Sequence, residues 1–277
     1  MTTFPYYVSE KIRKQFLSAK KKVERSDQDR VYLITGREGS GKSLLGMQFA
    51  FLIDNNFNLD DIAFNSTDFA KLIRTTKKKV IVFDEAFTGL SSRGAMSKEN
   101  KKLVSLLIEC RQRNLFIFII LPSIFLLELY IAISRSSALF HTSISKKNYQ
   151  NRYYKSYNLN NKRMLYILGK KYMSYSKPYI NEMHRFYGKY PPTISKEEYI
   201  KKKIDAFKDI GEEKVNEDTL RARQRNFLLY LLNKKYELTY VELEKLLKEQ
   251  NLPLDKTQIG VQIRKMVQEI AKNTEKK

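Results

Sequence analysis

Eight consecutive residues, Gly36-Arg37-Glu38-Gly39-Ser40-Gly41-Lys42-Ser43, constrain this chain more than any other feature. They follow an apolar run at 31–35 and open a stretch at 43–53 with helical periodicity, so the local order is strand, glycine-rich loop, helix. The glycines let backbone N–H groups close around an anion, and the start of a helix adds the positive end of its dipole. Lys42 is then placed to reach the β- and γ-phosphates of a nucleotide, and the Ser43 hydroxyl to ligate Mg2+. With Leu44 behind it, the segment reads as a nucleotide-phosphate-binding loop whose cofactors are ATP and Mg2+.

A second apolar run, Val80-Ile81-Val82-Phe83, ends in Asp84-Glu85. A carboxylate at that place can hold the metal through water, which is the role expected of Asp84. Glu85, one residue on, can orient and deprotonate an attacking water. Further strand-length runs at 61–64, 115–121 and 138–143 alternate with helical stretches at 68–74 and 97–111. That alternation predicts an α/β fold with a parallel central sheet covered by helices on both faces. The apolar stretch 115–133 approaches the length of a membrane span, but Pro122-Ser123 splits it into a strand-length and a helix-like run. It is expected to be interior, and no membrane span is expected.

The loop and the acidic pair, over residues 31–141, resemble P-loop ATPases of the branch that places a catalytic glutamate beside the magnesium-binding aspartate. The run DEAFTGLSSRGAMSKENKKLVSLLIECRQRNLFIFIILPSIF is similar, more narrowly, to the core of zonula occludens toxin-like and HerA/FtsK-type ATPases of viruses, plasmids and conjugative elements. The resemblance implies a P-loop NTPase fold and a ring-shaped homo-oligomer working as a DNA motor, in which an arginine from one subunit completes the ATP site of the next. Arg111 and Arg113 are the first candidates for that arginine and Arg135 the third, each with ordinary surface charge or DNA contact as its other reading. The resemblance also implies a polar γ-phosphate sensor at the tip of the strand after the acidic pair. Ser123 stands there, where it can equally cap the following helix. FtsK-type motors often carry a glutamine at that tip; here Pro122-Ser123 takes its place.

Lys and Arg total 52 against 30 Asp and Glu, a formal net charge of +22. Such an excess attracts a polyanion, whether DNA, RNA or an anionic membrane surface, although a Lys-rich composition alone would also produce it; with the motor motif, nucleic acid and chiefly DNA is the expected partner. Residues 9–25 read as a basic amphipathic helix whose apolar side is Ile12, Phe16 and Val23. Beyond residue 146 the chain turns rich in Lys, Tyr and Asn, and 153–168 reads as a β-hairpin with an Asn-rich turn. The tyrosines of 149–179, mixed with Lys and Arg, suit stacking on single strands or packing a hairpin against the core. The last sixty or so residues hold three helical stretches, which resemble a helix-turn-helix or winged-helix module as readily as a small helical bundle. In the former case Lys256, Gln258, Gln262, Arg264 and Lys265 on the last helix face the nucleic acid. The expected organisation is thus a basic N-terminal helix (1–29), an ATPase core (30–145), a hairpin and helical extension (146–211) and a small C-terminal helical domain (212–277).

The single Cys110 cannot form an intrachain disulfide, and the two histidines lie far apart, so a disulfide scaffold and a Cys/His zinc site are both excluded. A reducing, cytoplasmic location is expected. The leading functional expectation is a Mg2+-dependent oligomeric ATPase acting on DNA. The alternatives are an ATP-switched DNA-binding loader or regulator, and a membrane-linked phage assembly ATPase.

Overall fold

The computed structural model describes residues 5–26, 28–84, 93–145, 151–249 and 254–274; within them the side chains of 93–98, 207–223, 265, 268–269 and 271–274 are not described. The chain divides into two compact units, Met1–Phe207 and Lys208–Lys277.

In the first unit a seven-stranded sheet is built from β1 (Arg30–Gly36), β2 (Ile62–Ala63), β3 (Val80–Phe83), β4 (Phe116–Ile120), β5 (Ala138–Ile144), β6 (Arg152–Tyr157) and β7 (Met183–Phe186), in the order β2-β3-β4-β1-β5-β6-β7. The first five in chain order are mutually parallel, and β6 and β7 extend one edge antiparallel. The sheet is apolar on both faces because each central strand alternates between two cores. Val31, Leu33, Ile81, Phe83, Ile117, Ile119 and Leu139 point to one, with α3 (Ser66–Thr75) and α4 (Arg93–Glu109) over them. Tyr32, Ile34, Val80, Val82, Phe116, Phe118, Ile120 and Phe140 point to the other, beneath α1 (Glu10–Arg25) and α2 (Lys42–Ile53). The sequence-derived strands and the two-sided sheet are present as expected.

Ile12, Phe16 and Val23 are the buried residues of α1, as their spacing predicts. Phe16 lies within ring-contact distance of Tyr32, Phe49 and Phe118, so α1 is a wall of the core. Helix α2 departs from the expected amphipathic pattern: its residues from Leu45 to Ile53 are all buried, because it lies between the sheet and α1. Its Gln48 is clamped from two sides, the backbone carbonyl accepting from the Tyr6 hydroxyl at 2.9 Å and the side-chain amide donating to the Tyr187 and Lys189 carbonyls at 2.7 Å each.

The stretch 115–133 is interior except at Pro122 and from Glu128 to Tyr130, which are exposed. Its strand β4 is wholly buried, and its second half forms a 3-10 turn at Ile124–Leu126 and a π-helical turn at Tyr130–Arg135 in place of the expected α-helix. One further expectation is corrected. The hairpin read at 153–168 is strand β6 followed by α5 (Leu159–Gly169), since Asn158 acts as an N-cap accepting from the Asn161 N–H at 2.9 Å. Of the tyrosines at 149–179, Tyr154, Tyr157 and Tyr166 are buried and pack, and Tyr172 and Tyr179 are exposed. Beyond α5 come strand β7 and the long helix α6 (Lys196–Lys235), which runs past the expected end of the helical extension at 211.

In the second unit, the C-terminal part of α6 accompanies α7 (Tyr240–Glu249) and α8 (Lys256–Thr274), whose core is Leu229, Leu243, Ile259 and Ile263. Around it Phe227, Leu228, Leu232, Val241, Leu246 and Val267 are exposed, while Met266 is buried.

Candidate functional site

Strand β1 carries the chain to Gly36, whose φ of 151° turns it into the loop; Gly39 and Gly41 have φ of 72° and 89°, also left-handed. Gly41 sits immediately before α2, so the glycine pattern delivers the loop to a helix N-terminus. Its floor is built by β5: the Ser40 and Thr142 hydroxyls are 2.6 Å apart, and Thr142 donates to the Thr35 carbonyl at 3.1 Å. Ser40 also donates to the Arg37 carbonyl at 2.6 Å, and Lys42 Nζ reaches the same carbonyl at 3.0 Å. Ser40 is buried, Arg37, Glu38 and Gly39 are exposed, and Gly41, Lys42, Ser43 and Leu44 are half-buried.

Strand β3 ends at Asp84, which is fully buried. The Ser43 hydroxyl donates to Asp84 Oδ1 at 2.8 Å, bringing together two residues 41 positions apart. A hydroxyl and a carboxylate are hard oxygen donors suited to Mg2+, which keeps several waters and leans on substrate phosphates. Among the described residues no group of three or more His, Cys, Asp or Glu could hold a metal by itself. Glu85 lies outside the described residues.

Because β4 lies between β1 and β3, its tip reaches the loop: the Gly36 N–H donates to the Pro122 carbonyl at 3.4 Å. Ser123 next to it caps the 3-10 turn, accepting from the Phe125 N–H at 3.3 Å, and its Oγ is 3.4 Å from the Tyr175 hydroxyl. Arg111 and Arg113 precede β4, at the end of the sheet away from the loop; the Arg113 guanidinium donates to the Arg74 carbonyl. Arg135 is corrected to an interior anchor, nine-tenths buried, paired with Asp29 and donating to the Leu107 carbonyl at 3.0 Å. On α8, Lys256, Gln258 and Arg264 are exposed and Gln262 half-buried. Lys265 lies on the same helix, its side chain not described.

Sequence reasoning missed the residues that surround this frame. Asp84 Oδ2 accepts from the Tyr199 hydroxyl and lies 3.5 Å from Lys203 Nζ, both on α6. Burial, reinforced by the Asp84 charge, pushes the Tyr199 hydroxyl far above its ordinary range, so it stays a donor. The only signal was their spacing of four on a charged helix, which puts them on one face. His141 beside the loop also escaped notice: its Nδ1 is 3.0 Å from Thr35 Oγ1, and its ring stacks on Tyr175 at 3.7 Å.

Burial, aided by Lys155, Lys42 and Arg37, lowers the His141 imidazole from 6.5 to about 4. The unfolded chain then binds the extra proton first, so stability is untouched above pH 6.5 and falls as pH drops from 6.5 to about 4. The loss amounts to at most about 3 kcal/mol. Urea unfolding at neutral and acid pH should show that increment in wild type and not in His141→Gln; equal acid losses would refute it.

A family model for novel STAND NTPase 3 matches residues 14–169, more than half of the chain. The chain belongs to the novel STAND NTPase 3 family. It is therefore a P-loop ATPase, and the family match runs from α1 to the end of α5. Among solved structures, the N-terminal domain of zonular occludens toxin from Neisseria meningitidis shares 16% identity over 47% of this chain and 84% of that one, with a TM-score of 0.32. The flagellar accessory protein FlaH from Methanocaldococcus jannaschii shares 15% over 51% and 85%, with a TM-score of 0.26. Overlaps this low say nothing further about the novel STAND NTPase 3 chain. No curated protein matches it.

Proposed function

We propose that this chain is a Mg2+-dependent ATPase that assembles as a homo-oligomer and acts on DNA. The observation that carries the nucleotide chemistry is the Ser43–Asp84 hydrogen bond beside the glycine loop, which joins the two expected metal-binding groups in one buried corner. In this reading the amides from Gly36 to Leu44 hold the phosphates of ATP, Lys42 neutralises them, and Ser43 and Asp84 hold Mg2+. Glu85 draws the proton from the attacking water. Ser123 faces the γ-phosphate, and Arg111 or Arg113 serves a neighbouring subunit, since neither lies beside its own loop. Mg2+ when bound polarises the γ-phosphoryl group; the chain's own part is to place and desolvate it.

DNA as partner is supported by the charge of +22 and by the basic, exposed side of α8. A groove of 570 Å3 in the first unit, lined by Lys11, Lys14, Lys22 and Arg30 with Glu182 as its one acidic residue, offers a second cationic surface. Among the described residues no helix is long and apolar enough to cross a membrane, which gives no support to a membrane-linked assembly role; the cytoplasm remains the proposed location. ATP hydrolysis measured with and without single- and double-stranded DNA, with native mass alongside, tests the reading. DNA-stimulated turnover by an oligomer supports it, and slow turnover indifferent to DNA defeats it.

Contact with phosphates has its own signature. Replacing Lys256 and Arg264 together by glutamine should reduce the slope of log K against log salt by about 0.9 per lost duplex contact. Glutamines at Lys14 and Lys22 should leave that slope alone; a drop there and none for the α8 pair would move the DNA surface to the groove. A second reading, an ATP-switched DNA-binding regulator, is favoured by one observation: the second oxygen of Asp84 is already engaged by α6. Tight binding to one DNA sequence with feeble turnover would select it.

A further inference from the structure

The family match ends at residue 169, yet the most buried carboxylate of the site is touched by side chains beyond it. Asp84 gives Oδ1 to Ser43 and Oδ2 to the Tyr199 hydroxyl, with Lys203 Nζ 3.5 Å from the same Oδ2. The turn of α6 that carries them is held in place. Tyr199 is buried against Phe64 and Tyr190 at ring distances of 5.6 and 5.9 Å, and the neighbouring Lys202 donates to the Leu59 carbonyl at 2.8 Å. The Lys203 ammonium lies 5.8 Å from the Tyr199 ring centroid, and its side chain is one-fifth exposed, leaving it an outlet toward solvent.

We infer that Lys203 is a resident cation of the metal site, which competes with Mg2+ for Asp84 Oδ2 and gives that oxygen up when Mg2+ arrives with the nucleotide. The inference rests on the reading of Ser43 and Asp84 as the magnesium corner. An ammonium and a divalent cation facing one carboxylate oxygen in a buried site repel each other, and the screening that would hide this at the surface is weak there. The price is a higher Mg2+ requirement for nucleotide binding. The gain is that α6 registers whether the metal is in place, because Lys203 has to move for it.

The experiment is fluorescence titration of the full chain with a methylanthraniloyl ATP analogue at a series of Mg2+ concentrations, with thermal melts confirming that each variant is folded. Lys203→Met should lower the Mg2+ midpoint about tenfold, the scale of one removed like charge in a partly screened site. Lys203→Arg, which keeps the charge, should stay within about twofold of wild type. An unchanged or raised midpoint in Lys203→Met overturns the inference, a raised one marking Lys203 as a phosphate ligand instead. Lys42→Ala separates the two levels: if it leaves analogue binding intact, the phosphate-loop reading itself fails, whereas loss of binding there with no shift in Lys203→Met sinks the resident cation alone.

Discussion

Gly36→Ala is expected to cost the protein both its nucleotide affinity and several kcal/mol of stability. A Cβ at Gly36 would stand 2.1 Å from Thr142 Oγ1, 2.7 Å from the Thr142 carbonyl oxygen and 2.7 Å from Ser40 Oγ, on a backbone with φ of +151°. The Thr142 carbonyl belongs to β5, paired in register with β1, so it cannot yield without opening the sheet beside the loop. Overpacking of this kind costs about 1–3 kcal/mol, and an alanine forced into a Gly-only conformation about as much again. Relief requires the loop to lift from Thr142, breaking the Ser40–Thr142–Thr35 hydrogen bonds that shape it. Gly39→Ala is the matched control, since it has φ of +72° but nothing within 4 Å of its Cβ. Thermal melts and nucleotide titrations of the two should differ sharply. Equal, mild effects would show that the seating of the loop on β5 does not decide its shape.

The other large effect is expected at Glu85. If it takes the proton from the attacking water, Glu85→Gln should lower turnover by about 10²–10⁴-fold while ATP still binds. Arg111→Ala and Arg113→Ala belong in the same assay: whichever acts across a subunit boundary should lose about 10³–10⁵-fold, and the other almost nothing. A mixture of the active-arginine variant with Glu85→Gln protein would then regain activity, because each subunit supplies what the other lacks. Turnover unaltered by Glu85→Gln would remove the glutamate from the mechanism. No loss in either arginine variant would leave a subunit that hydrolyses ATP without a neighbour's help.

What was legible in the sequence was whatever local periodicity or a fixed spacing encodes. The runs at 80–83 and 115–121 are apolar at every position because both faces are covered, and they became β3 and β4. The motif Gly36 to Ser43 announced a strand, a loop and a helix start, and Asp84 met Ser43 as its place at a strand end foretold. The failures came where one local signal serves two structures. Asn158 can open a turn or cap a helix, and the packing of Leu165 and Tyr166 against the core decided for the helix. In α6 the run Phe227-Leu228-Leu229 is apolar on too wide an arc to fix a face, and Leu229 is the one buried. Arg135 looked like surface charge because its partner Asp29 lies 106 residues earlier. Tyr199 and Lys203 were out of reach for the same reason: their meaning lies in Asp84, 115 and 119 residues away.

The clamp on Gln48 bears on how short a working piece of this protein can be. Tyr6 holds the backbone carbonyl of that residue, and the carbonyls of Tyr187 and Lys189 receive its side-chain amide, so the helix behind the phosphate loop is tethered from both outside flanks of the family match at 14–169. A fragment trimmed to the match would keep every residue of the glycine motif. It would also leave a buried amide with no acceptors, and strip away the strand carrying Phe186, whose ring lies 3.0 Å from where a Cβ on Gly41 would stand. The recognisable segment and the segment able to stand alone are therefore different lengths of the same chain, and the second has to reach at least as far as Lys189.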